Sequence, residues 1–124
     1  MAKILIIEDE NIIAEDLKIT LTSFGYDVED VIASGEEAIL KTEELKPDLV
    51  LMDIKLDGEI NGIEAASKIH KKSNVPIIFC TAYTDDKTYK KALITKPSGY
   101  IVKPFNESEL HDTIQQTFKK LNIN

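Results

Sequence analysis

A chain of 124 residues fits one domain, 1–124, and is long enough to bury a core without disulfides or structural metal. Its formal net charge of −7 argues against direct contact with nucleic acid or anionic membranes. The single cysteine, Cys80, has no internal partner, and no apolar run approaches the ~20 residues that span a bilayer, so a soluble cytoplasmic protein is expected.

Lys3–Ile7 is a short apolar run and reads as a strand. Asn11–Phe24 places Ile12, Ile13, Leu17, Leu21 and Phe24 at the spacing of one helical face, and Gly25 follows as a stop signal. Val28–Ile32 reads as a weaker strand. Ser34-Gly35-Glu36-Glu37 has capping-box spacing and opens a helix to about Leu45, ended by Pro47. Asp48–Met52 is a strand that runs directly into Asp53. Gly62–Lys72 is helical, Val75–Cys80 is a strand stopping at Thr81, and Asp85–Ile94 is a weaker helix. Gly99–Val102 is a last short strand stopping at Lys103-Pro104, and Asn106-Glu107-Ser108-Glu109 caps a helix to about Leu121.

Strand and helix thus alternate five times. That predicts an α/β fold, a doubly wound five-stranded parallel sheet with helices on both faces. The near-continuous apolar strands suit burial on both sides, and 2-1-3-4-5, the flavodoxin-like strand order, is the usual five-strand solution. Ligands of such sheets bind beyond the carboxyl ends of the strands, where the order reverses between the first and third. At those ends stand Glu8 and Asp9, Asp53, Thr81 and Lys103.

Three carboxylates brought together repel one another. A divalent cation such as Mg²⁺ resolves the conflict, because it takes oxygen ligands from one or two carboxylates plus water and phosphate. Glu8 and Asp9 could hold the metal, Asp53 could both ligate it and attack phosphorus, and Lys103 with the Thr81 hydroxyl could neutralise the transferred group. Each residue taken alone is an ordinary strand-end side chain; the inference rests on the set.

Ile-Ile-Glu8-Asp9-Glu, Leu-Val-Leu-Met-Asp53, Phe-Cys-Thr81-Ala82 and Tyr100-Ile-Val-Lys103-Pro104-Phe resemble the receiver domains of two-component response regulators, the CheY-like family, over essentially the whole chain. The resemblance implies that Asp53 takes a phosphoryl group from a sensor histidine kinase. It implies Mg²⁺ held by Glu8 or Asp9, by Asp53 and by the backbone carbonyl of Lys55. It implies Thr81 and Lys103 as phosphate contacts, a cis bond before Pro104, and Thr81 and Tyr100 as switch residues that alter the helix 4–strand 5–helix 5 face for a downstream partner. The same face could serve a homodimer. No turnover of a separate substrate is implied, so the domain is not expected to be an enzyme beyond its own phosphorylation and dephosphorylation. Because the chain stops soon after the last helix, it is expected either to stand alone or to have been cut from a longer protein.

Two departures from the family pattern stand out. Asp57 occupies the place, four residues after the acceptor, where proline is usual, and Gly62 comes one residue late. Lys55 and Tyr83 are expected to flank the pocket. A calcium-loop reading of Asp53–Glu64 fails at Lys55, where an oxygen ligand is required. A flavin site would need glycine amides and hydroxyls after strand one, not Glu8-Asp9-Glu10. An aspartate-nucleophile phosphatase would carry a second acid where Lys55 stands. Cys80 reads as a buried core thiol, and His70 and His111 as surface side chains.

Overall fold

Each strand alternates its apolar side chains between two layers, and this decides the architecture. A computed structural model describes residues 1–121, so the last three positions of the expected 1–124 domain lie outside the described residues. The elements run β1 (Lys3–Ile7), α1 (Asn11–Ser23), β2 (Asp27–Ile32), α2 (Gly35–Leu45), β3 (Leu49–Met52), α3 (Gly62–His70), β4 (Ile77–Thr81), α4 (Asp86–Ile94), β5 (Gly99–Val102) and α5 (Glu107–Lys120). All strand pairs are parallel, in the order β2-β1-β3-β4-β5. This is the expected doubly wound sheet.

On one face Leu5, Ile7, Val50, Met52, Ile77 and Phe79 pack with Ala38 of α2, Ala65, Ala66 and Ile69 of α3, and Ala92 of α4. On the other, Ile4, Ile6, Leu49, Leu51, Ile78 and Ile101 pack with Leu17 and Leu21 of α1 and Leu110, Ile114 and Phe118 of α5. Every residue of β3 and β4 is buried. Each large aliphatic or aromatic side chain withdrawn from water contributes ~2 kcal/mol. Cys80 lies in the second layer, and its surroundings push the thiol up to about 12, chiefly by burial, so it is an inert core residue.

Element ends follow local chemistry. α1 stops at Ser23, one residue earlier than its apolar face suggests, and Gly25 at φ 96° turns the chain. β4 begins at Ile77 rather than Val75, because Pro76 has no N–H to give the ladder. Ser34, Asp85 and Asn106 each accept the backbone N–H three residues on and cap their helices. The reciprocal capping box is found at α3, where Asn61 and Glu64 exchange bonds of 2.9 and 3.1 Å.

The two histidines are not the surface residues that their helical positions suggested. The His111 ring stacks on Phe24 at 4.2 Å, joining α5 to α1. His70 is half-buried, with Nδ1 3.0 Å from the Thr95 carbonyl oxygen and Nε2 3.1 Å from that of Val75. A neutral imidazole has one N–H and serves one carbonyl at a time. α4 has the weakest footing: among its residues only Ala92 is buried, while Tyr89, Leu93 and Ile94 are exposed.

Lys46 closes α2 in a left-handed conformation, φ 48°. Relief of left-handed strain, ~1–2 kcal/mol, outweighs the ~0.4–1 kcal/mol entropic penalty of glycine. Lys46→Gly should therefore raise unfolding stability by about 0.5 kcal/mol, read from the urea midpoint.

Candidate functional site

The site is assembled where four strands end. The Glu8 amide continues the ladder to the Ile32 carbonyl at 2.8 Å, and the Asp53 amide bonds the Ile7 carbonyl at 2.9 Å. The Lys103 amide bonds the Thr81 carbonyl at 2.8 Å. Backbone pairing thus fixes where three of the functional residues leave the sheet, before any side chain acts. The expected cis bond lies between Lys103 and Pro104.

Glu8, Asp9 and Asp53 each offer a carboxylate oxygen, and these lie within 4.8 Å of one another. Glu8 is 3 % and Asp53 8 % exposed, so both acids are largely removed from water. Lys103 Nζ reaches between them, 2.5 Å from Glu8 Oε1 and 2.9 Å from Asp53 Oδ2. The second oxygen of Asp53 accepts the Ile54 amide at 2.6 Å, and Glu8 Oε2 accepts the Glu10 amide at 3.2 Å. Burial pushes the Glu8 carboxyl above the ordinary glutamate value, against the pull of the Lys103 hydrogen bond. Burial opposes the Lys103 charge too, yet its bonds to Glu8 and Asp53 outweigh that, and its pKa stands above the usual lysine value. Ionised, three carboxylates and one ammonium leave a net −2 in a cramped, half-dry space. That donor set of oxygens fits a small divalent cation such as Mg²⁺.

Thr81 ends β4 fully buried, its Oγ1 accepting the Tyr83 amide at 3.4 Å. Tyr100, on β5, lies against Phe79 with centroids 6.2 Å apart and edge-on to Tyr89 at 5.0 Å. Its hydroxyl donates to the Tyr83 carbonyl at 2.9 Å. Burial, with Asp85 and Asp53 nearby, holds this phenol above its ordinary value, so it donates at neutral pH. Residues 81, 83 and 100 therefore form one linked unit between the end of β4 and β5. Lys55 is exposed, and it shares with Tyr83 a groove of about 390 Å³ beside the loop after Asp53.

That loop accounts for the first of the two departures from the family pattern. The Asp57 amide donates to the Ala33 carbonyl at 3.2 Å, a bond that proline could not make. The Glu36 side chain of α2 accepts the Glu59 amide at 2.9 Å, and this bond holds the Glu36 carboxyl below its ordinary value. Gly58, at φ 91°, lies against the same carboxylate. The loop is therefore sewn to the start of α2. Glu36 was visible in the sequence only as a helix-start acid, and nothing in its spacing told of this contact. Gly62 is required for a different reason. A Cβ there would stand 2.0 Å from the carbonyl oxygen of Asp53.

An open parallel α/β sheet with an acidic cluster and a bridging lysine at its switch point defines a class of phosphate-handling or cation-binding domain. Comparison with known proteins narrows it. The model of the response regulator receiver domain matches residues 4–115. The transcriptional regulatory protein PdtaR of Mycobacterium tuberculosis is 38% identical over 113 residues, which cover 91% of this chain and 55% of PdtaR. The DNA-binding response regulator MtrA of Mycobacterium leprae is 40% identical over 108 residues, covering 87% and 47%. The signal receiver domain of a modulated diguanylate cyclase from Desulfovibrio desulfuricans superposes with TM-score 0.90 at 39% identity, covering 97% of this chain and 95% of that one. The chain belongs to the response regulator receiver family of two-component systems. It spans about half the length of the curated relatives it matches.

Gly62→Ala must push the Asp53 backbone aside. It should cost ~3 kcal/mol of unfolding stability, the upper range for overpacking, measured by urea denaturation.

Proposed function

We propose that Asp53 accepts a phosphoryl group from a phosphohistidine of a sensor histidine kinase, and that the domain reports this event to an output partner. The observation that carries the reading is the Lys103 ammonium bridging Glu8 and Asp53 at the sheet's switch point. An Asp53 carboxylate oxygen attacks phosphorus, a P–O bond forms, and the P–N bond to the kinase histidine breaks. Lys103 is placed to neutralise the incoming phosphoryl oxygens. The Thr81 hydroxyl can donate to them once it turns from its bond with the Tyr83 amide. Glu8, Asp9, Asp53 and the Lys55 carbonyl would hold Mg²⁺, which supplies charge neutralisation when bound.

Such a reaction modifies the domain itself, so it acts as a switch and not as an enzyme turning over a separate substrate. Thr81 and Tyr100 are the switch residues of this reading. A change at Thr81 strains the Tyr83 segment, and the Tyr100 hydroxyl passes it to β5. Poorly anchored α4 lies beside them, and the helix 4–strand 5–helix 5 face is the surface we assign to the output partner or to a homodimer. Direct nucleic-acid contact is not part of the proposal, since the domain carries net charge −7. Among the described residues no helix is long and apolar enough to cross a membrane. A cytoplasmic site of action is proposed with the kinase.

Incubation with phosphoramidate and Mg²⁺, followed by intact-mass measurement, should show a gain of one phosphate in the parent and none in Asp53→Asn. An equal gain in both would refute Asp53 as acceptor. Lys55 and Tyr83 stand over the adjoining groove and should restrict water. The phosphorylated Lys55→Asn, Tyr83→Ala double variant should then lose its phosphate several-fold faster than the parent, followed by the same mass measurement over time; equal or slower loss counts against the shielding role.

A further inference from the structure

We propose that Glu36 is a positioning residue for the metal centre: its carboxylate holds the loop after Asp53 in the shape that presents the Lys55 carbonyl to Mg²⁺. This role rests on the proposed function, in which Glu8, Asp9, Asp53 and that carbonyl share the ion.

The loop connects β3 to α3 and is fixed firmly where it leaves the sheet. The Ile54 amide donates to Asp53 Oδ1 at 2.6 Å, the Ile54 side chain is buried, and the Ile54 carbonyl accepts the Gly62 amide at 2.7 Å. Lys55 and Leu56 come next, and neither backbone makes a hydrogen bond among the described residues. Their position is therefore set by what holds the chain on either side of them.

Beyond them the holding is done by the start of α2. Asp57 pairs with Ser34 as a parallel bridge, and its amide reaches the Ala33 carbonyl at 3.2 Å, the long end of the hydrogen-bond range. The Glu36 carboxylate adds a shorter, charge-assisted bond of 2.9 Å to the Glu59 amide. Among the described residues it is the one side chain from an element distant in sequence that bonds the loop backbone. Two glycines make room for this contact. A Cβ on Gly58 would stand 2.6 Å from a Glu36 carboxylate oxygen, and one on Gly35 would stand 2.8 Å from the Ile60 side chain.

Glu36 is itself exposed and is not among the acids whose oxygens gather at the centre. Its removal leaves every donor atom in the chain but frees the segment that carries one of them. Binding the ion must then also order that segment, and affinity falls by the cost of doing so.

The test titrates the ¹⁵N-labelled parent, Glu36→Ala, Glu36→Gln and Glu37→Ala with Mg²⁺ and follows the amide shifts of residues 53–55. Glu36→Ala should weaken Mg²⁺ about fivefold, less than the ~10–100-fold lost when a direct partner of a metal ligand is removed. Glu36→Gln keeps a side-chain oxygen that accepts the Glu59 amide, and should bind within about twofold of the parent. Glu37→Ala removes an equal charge from the same helical turn but no bond to the loop, and should also bind like the parent. Hydrogen exchange at the Glu59 amide should quicken several-fold in Glu36→Ala alone. A lowered urea midpoint with unchanged Mg²⁺ affinity in Glu36→Ala would mark a merely structural contact and overturn the proposal. Equal weakening in all three variants would assign the effect to charge alone and overturn it too. A parent that binds no Mg²⁺ at residues 53–55 would sink the metal reading, and this role with it.

Discussion

The arrangement on which this molecule turns is one ammonium group held between two buried carboxylates. Glu8 and Asp53 stand just beyond the neighbouring strands β1 and β3, and Lys103 just beyond β5 at the sheet's edge. Burial makes charge costly in so dry a place and lifts the Glu8 carboxyl above its ordinary value. The lysine offsets part of that penalty and leaves the cluster with a residual negative charge. A site in this condition is stabilised by a cation. The sheet exists, in this sense, to hold charges of like sign closer than they would choose.

The supporting structure is built to stop them from moving apart. Gly62 packs its Cα against the carbonyl of Asp53, and the loop between them is fastened to α2 through the Asp57 amide and the Glu36 carboxylate. Asp53 is therefore gripped from the strand before it and the helix after it. On the far side the grip is lighter. Tyr100 touches Tyr83 through one hydroxyl and Tyr89 through one ring edge, and α4 buries only Ala92. The molecule divides into a half fastened tightly around the charges and a half with fewer anchoring contacts.

Much of this was legible from residue order, because it depends on backbone periodicity. Strands buried on both faces must be apolar at successive positions, so β1, β3 and β4 announced themselves, and each ended where a polar residue broke the run. The strand order followed from the alternation, and with it the meeting of residues 8, 9, 53 and 103. What stayed hidden depends on side-chain direction. Glu36 looked like any helix-start acid until the loop was seen lying across it. Asp57 looked like a defect in a family pattern until its amide was found at work. His70 and His111 looked solvated because a helix position does not say which neighbour leans over it.

The shallow seating of α4 has an evolutionary side. Tyr89, Leu93 and Ile94 face outward from a helix whose core contribution is a single alanine. Their replacement disturbs little of the packing that positions the acid cluster. Such a helix can change its exposed side chains while the residues that hold the acid cluster stay in place. Duplicated copies of a domain built this way can diverge on that surface long before they diverge at the acid cluster.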